Sequence, residues 1–146
     1  MTAHNSSNEI GKNVLVIGLG YVGLTFAIHC SEKGYNVYGI EINEHILNSL
    51  NSNRAHFLEP GIDDLISKYK DKSFFCLDSV PENIEFDYVI ISVGTPYNKT
   101  NAYVDLRSME AALSSTANII TDKTLVVLRS TVSVTTSRSF VYEKLK

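Results

Sequence analysis

The stretch NVLVIGLGYVGLTFAIHC, Asn13 to Cys30, constrains this chain more than any other. Its first part, Asn13–Ile17, is an aliphatic, β-branched run of the kind that forms a strand buried on both faces. Its last part, Tyr21–Lys33 when extended to the next break, carries Gly23, Ala27 and Cys30 on one helical face, and side chains that small let a helix lie close on a sheet. Gly34 then stops the helix. Between strand and helix stand Gly18 and Gly20, and a bare backbone at such a turn lets a phosphate group approach closely. A GxGxxG pattern alone recurs in ordinary turns, so its meaning depends on what the other residues build around it.

They build an alternation. Strand-like runs recur at Asn36–Ile40, Ser73–Leu77, Tyr88–Val93 and Thr124–Leu128, and helical stretches fall at Glu44–Asn51, Gly61–Tyr69, Leu106–Ile119 and Val134–Leu145. This predicts an α/β fold, a Rossmann-like doubly wound parallel sheet with helices on both faces and the strand order 3-2-1-4-5-6. No candidate for the sixth strand exists, because the last helical stretch ends at the point where that strand would begin. The expectation is a sheet truncated before or at its sixth strand, and a chain that is a piece of a larger protein, natural or cut. With 146 residues, 44% of them hydrophobic, there is material for one core and not two. The polar start MTAHNSSNEIGK predicts a flexible tail over residues 1–11, followed by one dinucleotide-binding domain over 12–146. No short-period repeat or low-complexity segment interrupts it.

Charge and cysteine content exclude several partners. A net charge of -3 from 13 basic and 16 acidic residues, with no basic block, argues against nucleic acid or an anionic membrane surface. No apolar run approaches the ~20 residues of a membrane span, and the start lacks the apolar core of a signal peptide. Two cysteines, Cys30 and Cys76, are fewer than a disulfide-dependent secreted domain would carry, so the expected location is cytoplasmic and the sequons at Asn5 and Asn98 carry no weight.

Within the predicted fold the glycines take distinct tasks. Gly18 permits the tight turn, Gly20 admits a pyrophosphate against bare backbone, and Gly23 lets the helix pack on the sheet. The amides of Tyr21 and Val22 then face the phosphates with the helix dipole behind them. Glu41 closes the second strand, about 20 residues beyond the glycines, where a carboxylate bonds the adenosine ribose and repels a 2′-phosphate. No arginine follows until Arg54, which favours NAD over NADP. Val93, Gly94 and Thr95 in SVGTPY, and Ser130 and Thr131 in LRSTV, end strands on the edge where open α/β sheets bind ligands. Gly-Thr-Pro is equally good turn material, Ser or Thr before a helix is an ordinary N-cap, and Glu41 has an ordinary alternative as a solvated strand-end residue.

The segments VIGLGYVGL, EPGIDDLI, ISVGTP, VDLRSMEAA and RSTVSVTT, in this order and spacing, resemble the N-terminal NAD-binding domain of the UDP-glucose/GDP-mannose dehydrogenase family. The resemblance covers about residues 12–145. It implies oxidation of the C6 alcohol of a nucleotide sugar to the uronate with two NAD⁺, through an enzyme-bound thiohemiacetal and thioester, as used in polysaccharide biosynthesis. By motif, Val22 resembles the family's phosphate-loop contact, Glu41 its ribose acid and Thr131 its threonine near the nicotinamide. The family's catalytic cysteine, with a lysine and an asparagine that orient the substrate, lies in a downstream sugar-binding domain beyond Lys146. The resemblance therefore implies no catalytic residue in this chain, no activity for it alone, and a homo-oligomeric whole. Two departures concern the sugar: EINEHIL has no Lys or Arg shortly after Glu41, and Tyr97 stands where many members have Thr after Thr-Pro. Some N-acetylhexosamine-type members lack both features, so UDP-glucose and UDP-N-acetylhexosamines both stay open.

The remaining chemistry-bearing residues read as structure. His4, His29, His45 and His56 lack metal-ligand spacing, and Cys30 and Cys76 read as small core residues, neither matching the family's thiol. In EPGIDDLI, Pro60 near the start and Asp63 and Asp64 in the first turn mark a helix N-terminus. The functional alternatives are a stand-alone NAD-binding or NAD-sensing module without catalysis, and another Rossmann dehydrogenase, such as one for hydroxyacids.

Overall fold

Alternate residues of the first strand point to the two covered faces of one sheet, and that division organises the whole molecule. In the computed structural model, which describes residues 11–100 and 102–146, β1 (Asn13–Ile17) runs through the middle of the sheet. Val14 and Val16 join one buried cluster, and Leu15 and Ile17 join the other, as period-two side-chain alternation requires. Helix α1 (Tyr21–Glu32) covers the first face with Leu24, Ala27 and Ile28. Strand β2 (Asn36–Ile40) follows, and α2 (Glu44–Asn51) and α3 (Ile62–Tyr69) add Leu50, Ile62 and Ile66 to the same face.

Strands β3 (Phe74–Leu77) and β4 (Tyr88–Ile91) come next, then a small antiparallel hairpin of β5 (Tyr97–Asn98) and β6 (Tyr103–Val104). Helix α4 (Arg107–Thr116) covers the second face with Met109, Ala112 and Leu113, and β7 (Leu125–Leu128) completes the sheet. The five-stranded sheet has the order β3-β2-β1-β4-β7, all pairs parallel, so the winding reverses between β1 and β4. This matches the first five strands of the predicted 3-2-1-4-5-6 order. Leu15, wholly buried at the centre, would cost about 2–5 kcal/mol if cut to alanine.

Several boundaries differ from expectation for physical reasons. Gly61 adopts a left-handed φ of 83° and caps α3 instead of opening it. The end of α4 falls at Thr116, whose hydroxyl donates back to the Ala112 and Leu113 carbonyls, a competition that weakens a helix end. The β5–β6 hairpin has no periodic signal in so short a stretch. The expected last helix, 134–145, begins only at Ser137 and winds as a π-helix over Ser137–Tyr142 before a short α-helical end, α5 (Glu143–Leu145). Just before it Thr135 holds a φ of 77°, a region that β-branched residues rarely adopt. Gly11, at the end of the expected tail, donates its N–H to the Gly34 carbonyl at 3.0 Å; residues 1–10 of that tail lie outside the described residues.

Candidate functional site

Register brings the chemistry to one edge. Ile17 pairs with Ile40 and Ile91, Ile40 with Leu77, and Ile91 with Leu128, so all five strands end level. Pairing continues one residue further, through Gly18 N–H to the Ile40 carbonyl at 2.9 Å, Glu41 to Leu77 at 3.0 Å, Ser92 to Ile17 at 2.8 Å and Arg129 to Ile91 at 2.8 Å. Gly18, Glu41, Ser92 and Arg129 therefore leave the sheet side by side at its carboxyl edge, across the point of reversal where such sheets bind ligands.

The three glycines differ in what a side chain would meet. At Gly18, with φ of 90°, a Cβ would lie 2.8 Å from the Ser92 carbonyl oxygen, so both conformation and the neighbouring strand demand glycine. At Gly23 a Cβ would lie 1.8 Å from the Gly18 carbonyl oxygen, because α1 is pressed onto the turn. At Gly20 a Cβ would meet nothing within 4 Å. The fold does not need Gly20 to be bare, and the space above it is open to a ligand. The first bond inside α1 runs from the Leu24 N–H to the Gly20 carbonyl at 2.9 Å, so the Tyr21 and Val22 amides precede it without an intrahelical acceptor, as first-turn amides do. Gly20, the N-cap, offers no side-chain cap. The Tyr21 ring turns to Phe57, 4.7 Å between centroids, and its hydroxyl donates to Glu59 at 2.8 Å, which raises the phenol pKa. The EPG segment thereby braces the turn from outside.

Glu41 is a buried bridge and not a solvated strand end. Its Oε2 accepts from the Leu19 N–H at 3.0 Å, and its Oε1 accepts from the Ile42 and Asn43 N–H groups, both at 2.9 Å. The carboxylate thus ties the glycine turn to the loop after β2. Leu19, fully buried, packs its side chain where a Cβ on Gly39 would stand, 2.7 Å from its Cδ2. An ionised carboxylate offers about four lone-pair positions, and three are taken, which leaves one for an incoming hydroxyl.

A cleft of about 730 Å³ opens here, bounded by Gly18, Gly20, Glu41, Val93 and Gly94. This size lies within the usual range for small-molecule sites, and bare backbone, a fixed carboxylate and free helix-terminal amides together fit a dinucleotide. Beyond the cleft the last two loops lock together, with the Ser130 hydroxyl donating to the Val93 carbonyl at 2.7 Å and the Thr95 hydroxyl donating to the Thr131 carbonyl. Ser130 and Thr95 thus shape the edge, and Thr131 stands exposed beside them.

The far wall of the cleft is not legible in the residue pattern. Ile42, Asp78, Val80, Asp105, Arg107 and Ala111 also line the cleft. Asp105 and Arg107 lie in VDLRSMEAA, but nothing in the pattern indicates that the hairpin returns them to the sheet edge. Cys30 and Cys76 stand apart, half-buried, their thiols pushed up by burial to about 11 and about 12. Both are protonated near neutral pH, unlike a nucleophilic thiolate. Among the described residues no group of His, Cys, Asp and Glu is gathered to hold a metal, and no helix is long and apolar enough to cross a membrane.

Residues 12–146 match the model for the UDP-glucose/GDP-mannose dehydrogenase family, NAD binding domain. The UDP-N-acetyl-D-mannosamine dehydrogenase of Campylobacter jejuni is 35% identical over 130 residues, which is 89% of this chain and 31% of that protein. Among solved structures, a UDP-glucose dehydrogenase from Pyrobaculum islandicum aligns at a TM-score of 0.76 with 30% identity, covering 95% of this chain and 33% of that one. A ternary complex of GDP-mannose dehydrogenase from Pseudomonas aeruginosa aligns at 0.80 with 27% identity, covering 90% of this chain and 31% of that one. The chain therefore spans about a third of the length of these relatives.

Proposed function

The chain belongs to the UDP-glucose/GDP-mannose dehydrogenase family, as its NAD-binding domain, and we propose that it serves a nucleotide-sugar 6-dehydrogenase by holding NAD across the edge between β1 and β4. In this reading the pyrophosphate lies over Gly20 against the Tyr21 and Val22 amides. Glu41 takes an adenosine ribose hydroxyl on its remaining lone pair, and Val93, Gly94, Thr95, Ser130 and Thr131 border the nicotinamide half. Bound NAD supplies the hydride acceptor. The chain's own residues orient it and select it over NADP, whose 2′-phosphate would meet the Glu41 carboxylate.

The observation that supports this most is the contrast among the glycines: Gly18 and Gly23 are required by the fold, whereas a side chain at Gly20 would meet nothing in the fold, which leaves room there for a ligand. The substrate of the whole protein is a UDP-sugar in this reading, and an N-acetylhexosamine is supported by relatives named as a UDP-N-acetyl-D-mannosamine dehydrogenase and an NDP-N-acetyl-D-galactosaminuronic acid dehydrogenase. The thiol chemistry that the second oxidation needs is not supplied by Cys30 or Cys76.

The test is a chimera. Residues 12–146 replace the matching segment of the Campylobacter jejuni relative, and the product is assayed with UDP-N-acetyl-D-mannosamine. NADH should form in the chimera and not with the 146-residue chain alone. A folded chimera that binds NAD but forms no NADH would point instead to a binding module.

A further inference from the structure

Arg107 and Asp105 form an unusual feature of the cleft wall. The Arg107 Nε donates to both Asp105 carboxylate oxygens at 3.0 Å, and its terminal nitrogen donates to Oδ2 at 2.6 Å. The Arg107 N–H also donates to Asp105 Oδ1 at 3.0 Å, and the guanidinium holds the Asp105 carboxyl down at about 2. This side-on fork uses one edge of the guanidinium and fixes its plane. The side chain is nevertheless 87% exposed, so the flat faces remain open. The same cleft is lined by Ile42, an aliphatic side chain 85% exposed immediately after Glu41.

A free arginine in a nucleotide cleft would suit a phosphate. Here the charge is already matched by Asp105, and the pair presents a rigid plane of nearly neutral net charge. Guanidinium planes in that state stack on aromatic rings. We propose that the Asp105–Arg107 pair is a stacking plate for the adenine ring of the dinucleotide, with Ile42 as the apolar wall of the same pocket. Arg107 is then a positioning residue for the adenosine half, and Asp105 fixes its plane. The inference rests on the dinucleotide reading above, since it is the Glu41 ribose contact that directs the base toward this wall.

The experiment compares parent, Arg107→Ala, Arg107→Lys and Asp105→Asn, titrated by calorimetry with NAD, ADP-ribose and nicotinamide mononucleotide at one salt concentration. Because Arg107 is exposed, its variants should keep the parent circular dichroism. Stacking predicts roughly tenfold weaker binding of both NAD and ADP-ribose to Arg107→Ala. Arg107→Lys should lose nearly as much, because it keeps the charge but not the plane. Asp105→Asn should lose less, and nicotinamide mononucleotide, which lacks adenine, should not respond. Etheno-NAD should show a smaller change in emission on binding Arg107→Ala than on binding the parent. If Arg107→Lys binds like the parent, Arg107 acts as a charge on phosphate and the stacking plate is wrong. It is equally wrong if Arg107→Ala binds like the parent while the parent binds NAD. A parent that binds neither NAD nor ADP-ribose overturns the dinucleotide reading itself, and this inference with it.

Discussion

Replacing Glu41 with alanine should damage the fold and the cofactor choice together, by amounts that can be separated. The carboxylate accepts three backbone N–H groups. Ile42 and Asn43 are exposed, so water replaces the acceptor for their amides at little cost, but Leu19 is 0% exposed. Leaving one buried amide without a partner costs about 1–3 kcal/mol, and the two wetted amides add a few tenths each, for a total of about 1.5–3.5 kcal/mol. At about 3 °C per kcal/mol for a domain of this length, that corresponds to a fall in Tm of roughly 5–11 °C. Glu41→Gln keeps one acceptor oxygen but turns an NH₂ toward another donor, so it should fall between alanine and parent.

The cofactor effect is measured apart from stability, by titrating folded protein with NAD and NADP at fixed salt. Losing a hydrogen bond from a ribose hydroxyl to a charged acceptor costs about 1.5 kcal/mol at the low end expected for a wetted cleft. That is roughly a tenfold loss of NAD affinity. NADP should bind relatively better, because the repelling charge is gone, and Glu41→Arg should extend the trend. An unchanged Tm in Glu41→Ala would refute the amide bridge. An NAD-to-NADP ratio unmoved by Glu41→Arg would refute the ribose contact even if the bridge were sound.

Gly23→Ala should destabilise by about 2–4 kcal/mol in urea unfolding, because its Cβ would stand 1.8 Å from a backbone oxygen that cannot yield; a midpoint like the parent's would show that α1 is not pressed on the turn. Thr135→Gly should raise Tm by a few degrees, since relief of a left-handed β-branched residue, about 1–2 kcal/mol, exceeds the added chain entropy; a fall would refute the strain. Because the folded thiols ionise only at about 11 and about 12, against 9.0 for an unperturbed cysteine, both states hold their protons below pH 9 and the unfolded chain alone loses them above it. Stability should therefore be full below pH 9 and decline between pH 9 and 12, and Cys30→Ala with Cys76→Ala should flatten that decline relative to the parent; parallel curves would refute the burial of the thiols.

The sheet was legible because strands buried on both faces are nearly unbroken aliphatic runs, and β1 and β2 fall at the predicted residues. Strand order followed from the alternation with helices. Gly18, Gly20 and Gly23 were legible as a set, but only coordinates separate the two held by backbone contacts from the one left open. The place of Glu41 just after β2 is legible in the sequence and its bonding is not, because a turn that brings the Leu19 amide back to it depends on parallel register. The place of Arg107 is not legible because the hairpin that returns it rests on two residues per strand, too few for any periodicity. The π-helical end escaped because hydroxyl and β-branched residues from Val132 to Thr136 carry no signal that separates one winding from another.

Gly20→Val tests the central claim most directly. Its side chain enters open space at an extended backbone position with φ of -61° and ψ of -172°, and a less favourable N-cap costs about 1 kcal/mol at most. Far-UV circular dichroism should match the parent and Tm should fall by only a few degrees, while calorimetry with NAD should show binding in the parent and none in the variant. If Gly20→Val binds NAD as tightly as the parent, the pyrophosphate does not lie over this turn, and the cofactor site described here is wrong.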